Sequence, residues 1–400
     1  MNAFSLLLVS LGLWTSTTQD TGERAVVVLT DEARALHAEC LVFDGHNDLP
    51  WQYRTKVNLD LSALDISKPL PALHTDIPRL RSGGLGAQFW SAYGPADSET
   101  PVTDHLEQID LIKRLVARYP ETFQWATSSA DIERARREGK IASLIGIEGG
   151  HAIDNSIGVL RMYHELGVRY MTLTHSDTLD WADAATDEAK SGGLSEFGEK
   201  VVRTMNELGM LVDISHVSVE TMKHALRVTR APVIASHSSA YGVAVHPRNI
   251  PDDVLKLIKA NGGVVMVNFF SGFVVPESAK IMGDMFDVRR ELKEKYPDES
   301  EFNRAFMAWR QKNPYPAGTV HDVVDHIDHI VRVAGVEHVG LGSDYDGVNK
   351  LPVQLEDVST YPFITQELLN RGYAREDVKK IMGGNTLRAL REAERVASDK

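Results

Sequence analysis

Residues 41–48 read L-V-F-D-G-H-N-D, an apolar run that ends in a row of ionisable side chains. Alternate residues of a strand share a face, so a strand ending here would present Asp44, His46 and Asp48 together. Such a row is either a solvated strand tip or half of a metal site, and the stretch alone does not choose. Its apolar part is continuous rather than alternating, which suits a parallel strand covered on both faces. Seven similar runs follow, at 85–92, 142–148, 169–175, 211–216, 232–237, 263–269 and 338–344. Helical patterns lie between most of them. They cover 103–119 with Thr103 or Asp104 as cap, 218–228, and 251–261 with Pro251 at the first helical position. Eight strands alternating with helices predict an α/β fold of the (β/α)8 TIM barrel type. The competing arrangement is an open doubly wound sheet, but no strand is followed by a glycine-rich phosphate loop, and eight regular units suit closure.

Two regions break this rhythm. Residues 49–83 form a long excursion after the first strand, and the polar, charged segment 271–318 is expected to be helical and inserted between the last two strands. With no internal repeat, residues 30–395 are expected to form one barrel domain. The first twenty residues hold an apolar run of signal-peptide length, too short to span a bilayer, although the first basic residue is only Arg24. The expectation is a secreted or periplasmic protein, or a cytoplasmic one if that stretch is not a signal. No other stretch could span a membrane, and the terminal A-S-D-K does not indicate a lipid-anchor signal.

Composition excludes several functions. A net charge of −13, with no Lys/Arg cluster, argues against a nucleic-acid partner. Cys40 is the only cysteine, so an internal disulfide, a thiolate zinc cluster and a C-x-x-C pair are all ruled out. Any metal must be held by His, Asp and Glu.

Chemistry in such a barrel sits at the C-terminal mouth. Read there, the strand ends supply His46 and Asp48 after the first, Glu148 after the third and His175 after the fourth. His216 follows the fifth, His237 the sixth, and Asp344 and Asp346 the eighth. Four of eight strands ending in histidine is hard to attribute to composition when the chain holds fifteen. Imidazole and carboxylate are what zinc accepts without thiolates. His46 and Asp48 can chelate one ion, His216 and His237 a second, and the two oxygens of Glu148 can bridge them. Paired metals would acidify a shared water and polarise a carbonyl. Asp344, on the opposite side of the ring, would take the water's proton and pass it to a leaving amine. Asp44, before a glycine, reads as the turn's own residue, and so does Asp346. His151 reads as a loop residue, the 321–330 histidines as a packing or solvated face, and Cys40 as a small buried side chain. S-H-S-S at 236–239 lacks the surroundings of a serine nucleophile.

Taken together, F-D-G-H-N-D, I-E-G-G, L-T-H-S, D-I-S-H, A-S-H-S-S, H-P-R-N, G-S-D-Y-D-G and I-M-G-G-N resemble the membrane (renal) dipeptidase family of the amidohydrolase superfamily, over residues 35–392. The resemblance implies a zinc-dependent dipeptidase with two Zn2+ per chain. Ligands would be His46 and Asp48 on one ion, His216 and His237 on the other, with Glu148 bridging. It adds His175 as holder of the substrate carbonyl and oxyanion, and Arg248 as clamp for the C-terminal carboxylate. A metal-bridging hydroxide would attack, with Asp344 transferring the proton. A D-residue at the C-terminal position would be tolerated, and the chain would pair as a homodimer. The alternative is an amidohydrolase acting on another small amide, an N-acyl amino acid or a β-lactam.

Overall fold

The computed structural model describes residues 24–399; the signal peptide expected over 1–20 lies outside them. Among the described residues there are nine strands: β1 (Val42–Asn47), β2 (Leu85–Tyr93), β3 (Phe123–Trp125), β4 (Ile141–Glu148), β5 (Val168–Thr172), β6 (Leu211–Asp213), β7 (Ile234–Ala235), β8 (Val264–Val267) and β9 (Val339–Leu341). All their pairings are parallel, and β2 pairs with β4 as well as with β1. The eight strands β1, β2 and β4–β9 therefore close into a barrel with helices around it, the predicted fold. Only β3 was not expected. Its three residues pair with the start of β4 (Trp125↔Ser143), on the edge that β5 takes over from Ile145. A run that short carries no periodic signal.

One cluster fills the barrel with side chains from seven strands, among them Phe43, Phe89, Leu144, Tyr170, Leu211, Ile234 and Met266. Ala389, Leu390 and Ala393 of the last helix (Asn385–Ser398) join it. The alternate side chains, such as Val42, Ile145, Met171, Val212 and Val265, belong to a second cluster between strands and helices. Both faces of the eight barrel strands are largely buried, which is why their runs are continuous rather than alternating.

Helix starts depart from expectation in two places. The helix expected from 103 spans Pro101–Arg118, with Thr100 as N-cap and Pro101 at the first position. Proline's fixed φ and missing N–H suit that position better than Thr103 does. Pro251 is itself the N-cap (ψ 156°), one residue outside the helix Asp252–Asn261. The excursion after β1 contains helices Leu49–Val57 and Ile77–Ser82. The expected insertion over 271–318 holds three more, Ser271–Val274, Pro276–Lys295 and Glu299–Lys312, and a further helix, Val320–Val333, follows before β9. Among the described residues, no helix is long and apolar enough to cross a membrane.

Candidate metal centre

The strand ladders stop short of the side chains they position. β5 ends three residues before His175, β6 three before His216, β7 two before His237 and β9 three before Asp344. These groups therefore sit on the first turns beyond the barrel, where the backbone can bend inward. His216 (φ 65°), Asp344 (φ 65°) and Asp346 (φ 66°) are left-handed. That conformation is uncommon outside glycine, although His and Asp tolerate it better than most, and it is often found at functional sites.

The turns bring His46, Asp48, Glu148, His175, His216, His237 and Asp344 to one buried place. Ligand atoms of three trios, His46/Glu148/His237, Glu148/His175/His216 and His46/Asp48/Asp344, lie within 4.8 Å of one another. Glu148 stands at the centre. Its Oε1 is 3.1 Å from His216 Nε2, 3.4 Å from His237 Nε2 and 3.7 Å from His175 Nε2, while Oε2 is 3.6 Å from His46 Nε2. The two oxygens face different imidazoles. His46 Nε2 is 3.2 Å from Asp48 Oδ2, yet it is buried without a hydrogen-bond partner.

Outer partners fix which ring nitrogens are bare. Tyr170 OH donates to the Gly45 carbonyl (3.2 Å) and lies 2.8 Å from His46 Nδ1, placing the proton on Nδ1 and leaving Nε2 as a lone pair. Ser236 Oγ donates to Asp213 Oδ2 (2.6 Å) and so accepts from His237 Nδ1 (2.7 Å), with the same result. Asp213 also accepts from Thr172 Oγ1 (2.6 Å) and the Ser215 and Ser236 amides. His216 and His237 Nε2 approach to 2.7 Å. Such tautomer-fixing partners are typical of metal-ligating histidines. Sequence reasoning missed Tyr170, and it weighed Ser236 only as a serine nucleophile in S-H-S-S and not as a partner of His237. Asp213 was visible in D-I-S-H, but only as part of a motif.

Electrostatics agree with a cation in this position. Burial holds the His216 and His237 imidazoles well below their usual range, which is the neutral form a metal requires. Burial opposes charge on His46 too, but Tyr170, Asp48 and Glu148 outweigh it and raise its pKa. Burial would also raise Glu148, but His46, His175, His216 and His237 pull it well below the carboxylate range. Orphaned nitrogen, neutral imidazoles and a carboxylate with two-sided partners fit divalent metal.

Asp344 departs from one expectation. It does not stand across the ring: β9 pairs with β1, so Asp344 is beside His46 and Asp48. Its Oδ2 accepts from Asn268 Nδ2 at 2.9 Å, and burial, with Asp48 and Glu148 adding, pushes its pKa up to about 7. Arg248 is buried, with one nitrogen 3.3 Å from the His237 carbonyl, its Nε unpartnered, and its guanidinium over the Phe273 ring at 5.1 Å. Burial lowers its pKa to about 10, so it stays charged at neutrality. Arg248, His175, Glu148, Asp48 and Asp344 line one cavity of about 580 Å³.

Asp44 does not share the ligand face. The register against β2 shifts between Asp44 and Asn47, and Asp44 turns to Ser343 and Tyr361 instead. Asp346 accepts from the His74 amide, a role within the loops. His326 packs: its Nδ1 accepts from the Ala240 amide and its Nε2 donates to the Val274 carbonyl. His151 is buried, bonded to the Gly94 carbonyl, and Cys40 is buried.

A family model described as membrane dipeptidase (peptidase family M19) matches residues 30–400. Among solved structures, the chain is similar to the probable dipeptidase PvdM from Pseudomonas aeruginosa, with TM-score 0.80 and 25% identity, covering 92% of this chain and 98% of that one. It also resembles a metallo peptidase from Rhodobacter sphaeroides liganded with a phosphinate mimic of the dipeptide L-Ala-D-Ala, with TM-score 0.71 and 22% identity, covering 88% and 99%.

Proposed function

The chain belongs to the membrane dipeptidase family, and from that membership and the geometry of its site we propose that it is a zinc-dependent dipeptidase with two metal ions. The observation that carries the two-metal reading is Glu148, whose Oε1 faces His216 and His237 while Oε2 faces His46. His46 and Asp48 would hold one ion and His216 and His237 the other, with Glu148 between them. When bound, the metals supply an acidified water and polarise the scissile carbonyl.

The chain's own residues do the rest. Arg248 receives the substrate's α-carboxylate; a guanidinium offers paired donors and keeps its charge. Burial lowers the pKa of His175, and Ser176 Oγ lies 3.2 Å from its Nδ1. With that hydroxyl donating, Nε2–H faces the cavity and meets the negative charge developing on the carbonyl oxygen. Asp344, oriented by Asn268, takes up a proton and delivers it to the leaving amine. Trp51, Tyr93, Phe270 and Phe273 wall the cavity with apolar surface and strengthen these interactions. Tolerance of a D-residue at the C-terminal position, export of the chain and pairing into a homodimer belong to the same proposal. The L-Ala-D-Ala mimic bound by the Rhodobacter sphaeroides metallo peptidase supports the first.

The test is hydrolysis of L-L, L-D and N-acylated dipeptides with and without chelator, alongside metal analysis. Dipeptides should be cut, activity should vanish with chelator and return with zinc, and about two ions should bind per chain. Arg248→Ala should cripple substrates with a free α-carboxylate and spare their amides. Hydrolysis confined to N-acyl amino acids or lactams would favour the broader amidohydrolase reading.

A further inference from the structure

The charged lining of the catalytic cavity falls into two groups. Asp48, Glu148 and Asp344 are acidic and belong to the metal centre; Arg248, Arg289 and Arg310 are basic. Arg248 comes from the barrel, but Arg289 and Arg310 come from the two long helices inserted between β8 and β9. Among the described residues, neither inserted guanidinium has a hydrogen-bond or ion-pair partner, whereas the adjacent Arg290 pairs with Asp287 at 2.7 Å. Arg310 is half-buried beside Tyr315. Lys350, 4.4 Å from the centre of the same Tyr315 ring, brings another cation to that edge.

Unpaired cations are odd in a chain with a net charge of −13, where carboxylates are plentiful. Arg289 lies exposed at the rim of the cavity, whereas the partial burial of Arg310 without a partner costs free energy that a bound anion would recover. The walls around them are apolar: Phe302 and Phe306 stack at 5.7 Å and 8°, and Met282 and Met285 also line the cavity. Such walls lower the local dielectric and strengthen a guanidinium–carboxylate contact. In the proposed reaction Arg248 already holds the α-carboxylate. The remaining anion that a dipeptide can carry is an acidic side chain.

Resting on the dipeptidase reading above, we infer that Arg289 and Arg310 form a second anion-recognition wall and that the enzyme selects dipeptides containing aspartate or glutamate. The inserted helices thus set specificity, while the barrel supplies the reaction.

The test compares kcat/KM for Ala-Glu, Ala-Asp, Glu-Ala and Asp-Ala with the matching Gln and Asn dipeptides, using the zinc-loaded full chain. The acid should be preferred over its amide by about tenfold or more in at least one position. In R289M/R310M that ratio should fall to about one, chiefly through KM. As a second variant, Arg310→Glu should turn the preference toward Ala-Lys. Equal rates for acid and amide in the native enzyme, or a ratio that both variants leave unchanged, would overturn the inference while leaving the dipeptidase reading intact. Absence of hydrolysis across the whole panel would remove both.

Discussion

In the proposed metal centre, what would make a histidine a ligand is the group behind it. Ser236 donates its hydroxyl hydrogen bond to Asp213, so it accepts from His237 Nδ1 and leaves that ring with a bare Nε2. Ser236→Ala leaves the ring in place but frees its tautomer. Loss of such an outer partner weakens metal affinity by about 10–100-fold. Zinc competition with a chromophoric chelator should show a drop of that size, with the circular dichroism spectrum unchanged; an unaltered affinity would mean that Ser236 only packs. Gly347 makes a different demand. A Cβ there would run into Asp48 Oδ2 and Asp344 Oδ1. Gly347→Ala should therefore cost at least about tenfold in kcat/KM, because displacing either carboxylate disturbs positioned groups. Its thermal midpoint should stay close to that of the native chain, since the residue lies at the mouth and not in the core.

Between elements, the seam joining β1 and β9 is narrow. One residue pair, Asp44↔Leu341, defines its register, and Asp44 reinforces it by accepting from the Ser343 amide (2.7 Å), Ser343 Oγ (2.5 Å) and Tyr361 OH (2.6 Å). Asp44→Ala strands those donors in a buried place, and a loss of roughly 2–4 kcal/mol should appear in urea unfolding of the chelated protein. A change below about 0.5 kcal/mol would show that the seam does not depend on it. Asp44 also shows what the sequence could convey. Strand runs were legible because burial on both faces makes them continuous, and histidines at their ends were legible because the fold collects them. The expectation that Asp44, His46 and Asp48 share a face failed because a register shift next to Gly45 is invisible to a period of two. Gly45 itself has no room for a Cβ beside Met266 and Ser236. Tyr170 was hidden for another reason: it reads as an ordinary core tyrosine, and its tie to His46 spans 124 positions. The first helix start fell two residues before the expected 103, where Pro101 outweighs the apolar pattern, and Pro251 missed its expected place by one residue.

Across the whole molecule, acid acts on the fold through buried histidines that lie outside the proposed metal centre. His105 and His326 are buried away from the proposed ligands, and burial lowers both to about 4. Around His105 stand His151, Asp104 and Arg54; around His326 stand Asp325, Asp322 and His329. In both cases desolvation outweighs these neighbours. Both rings are neutral when folded, while an unfolded histidine titrates near 6.5. Below about pH 6.5 the unfolded chain binds protons that the folded chain refuses, so unfolding is favoured as pH falls, and the loss is complete near pH 4. Each group contributes on the order of 3 kcal/mol over that window and nothing above it. Urea midpoints of the chelated protein should therefore be flat from pH 8 to 7 and decline between 6.5 and 4. His105→Phe removes one such group together with its bond to the Pro101 carbonyl. Whatever that costs at pH 7, the slope of stability against pH should lose about one proton between 6.5 and 4. An unchanged slope would place the titrating groups elsewhere, in His74, His246 or the metal centre, and the same scan on the zinc-loaded protein separates the last from the others, because bound metal protects only its ligands.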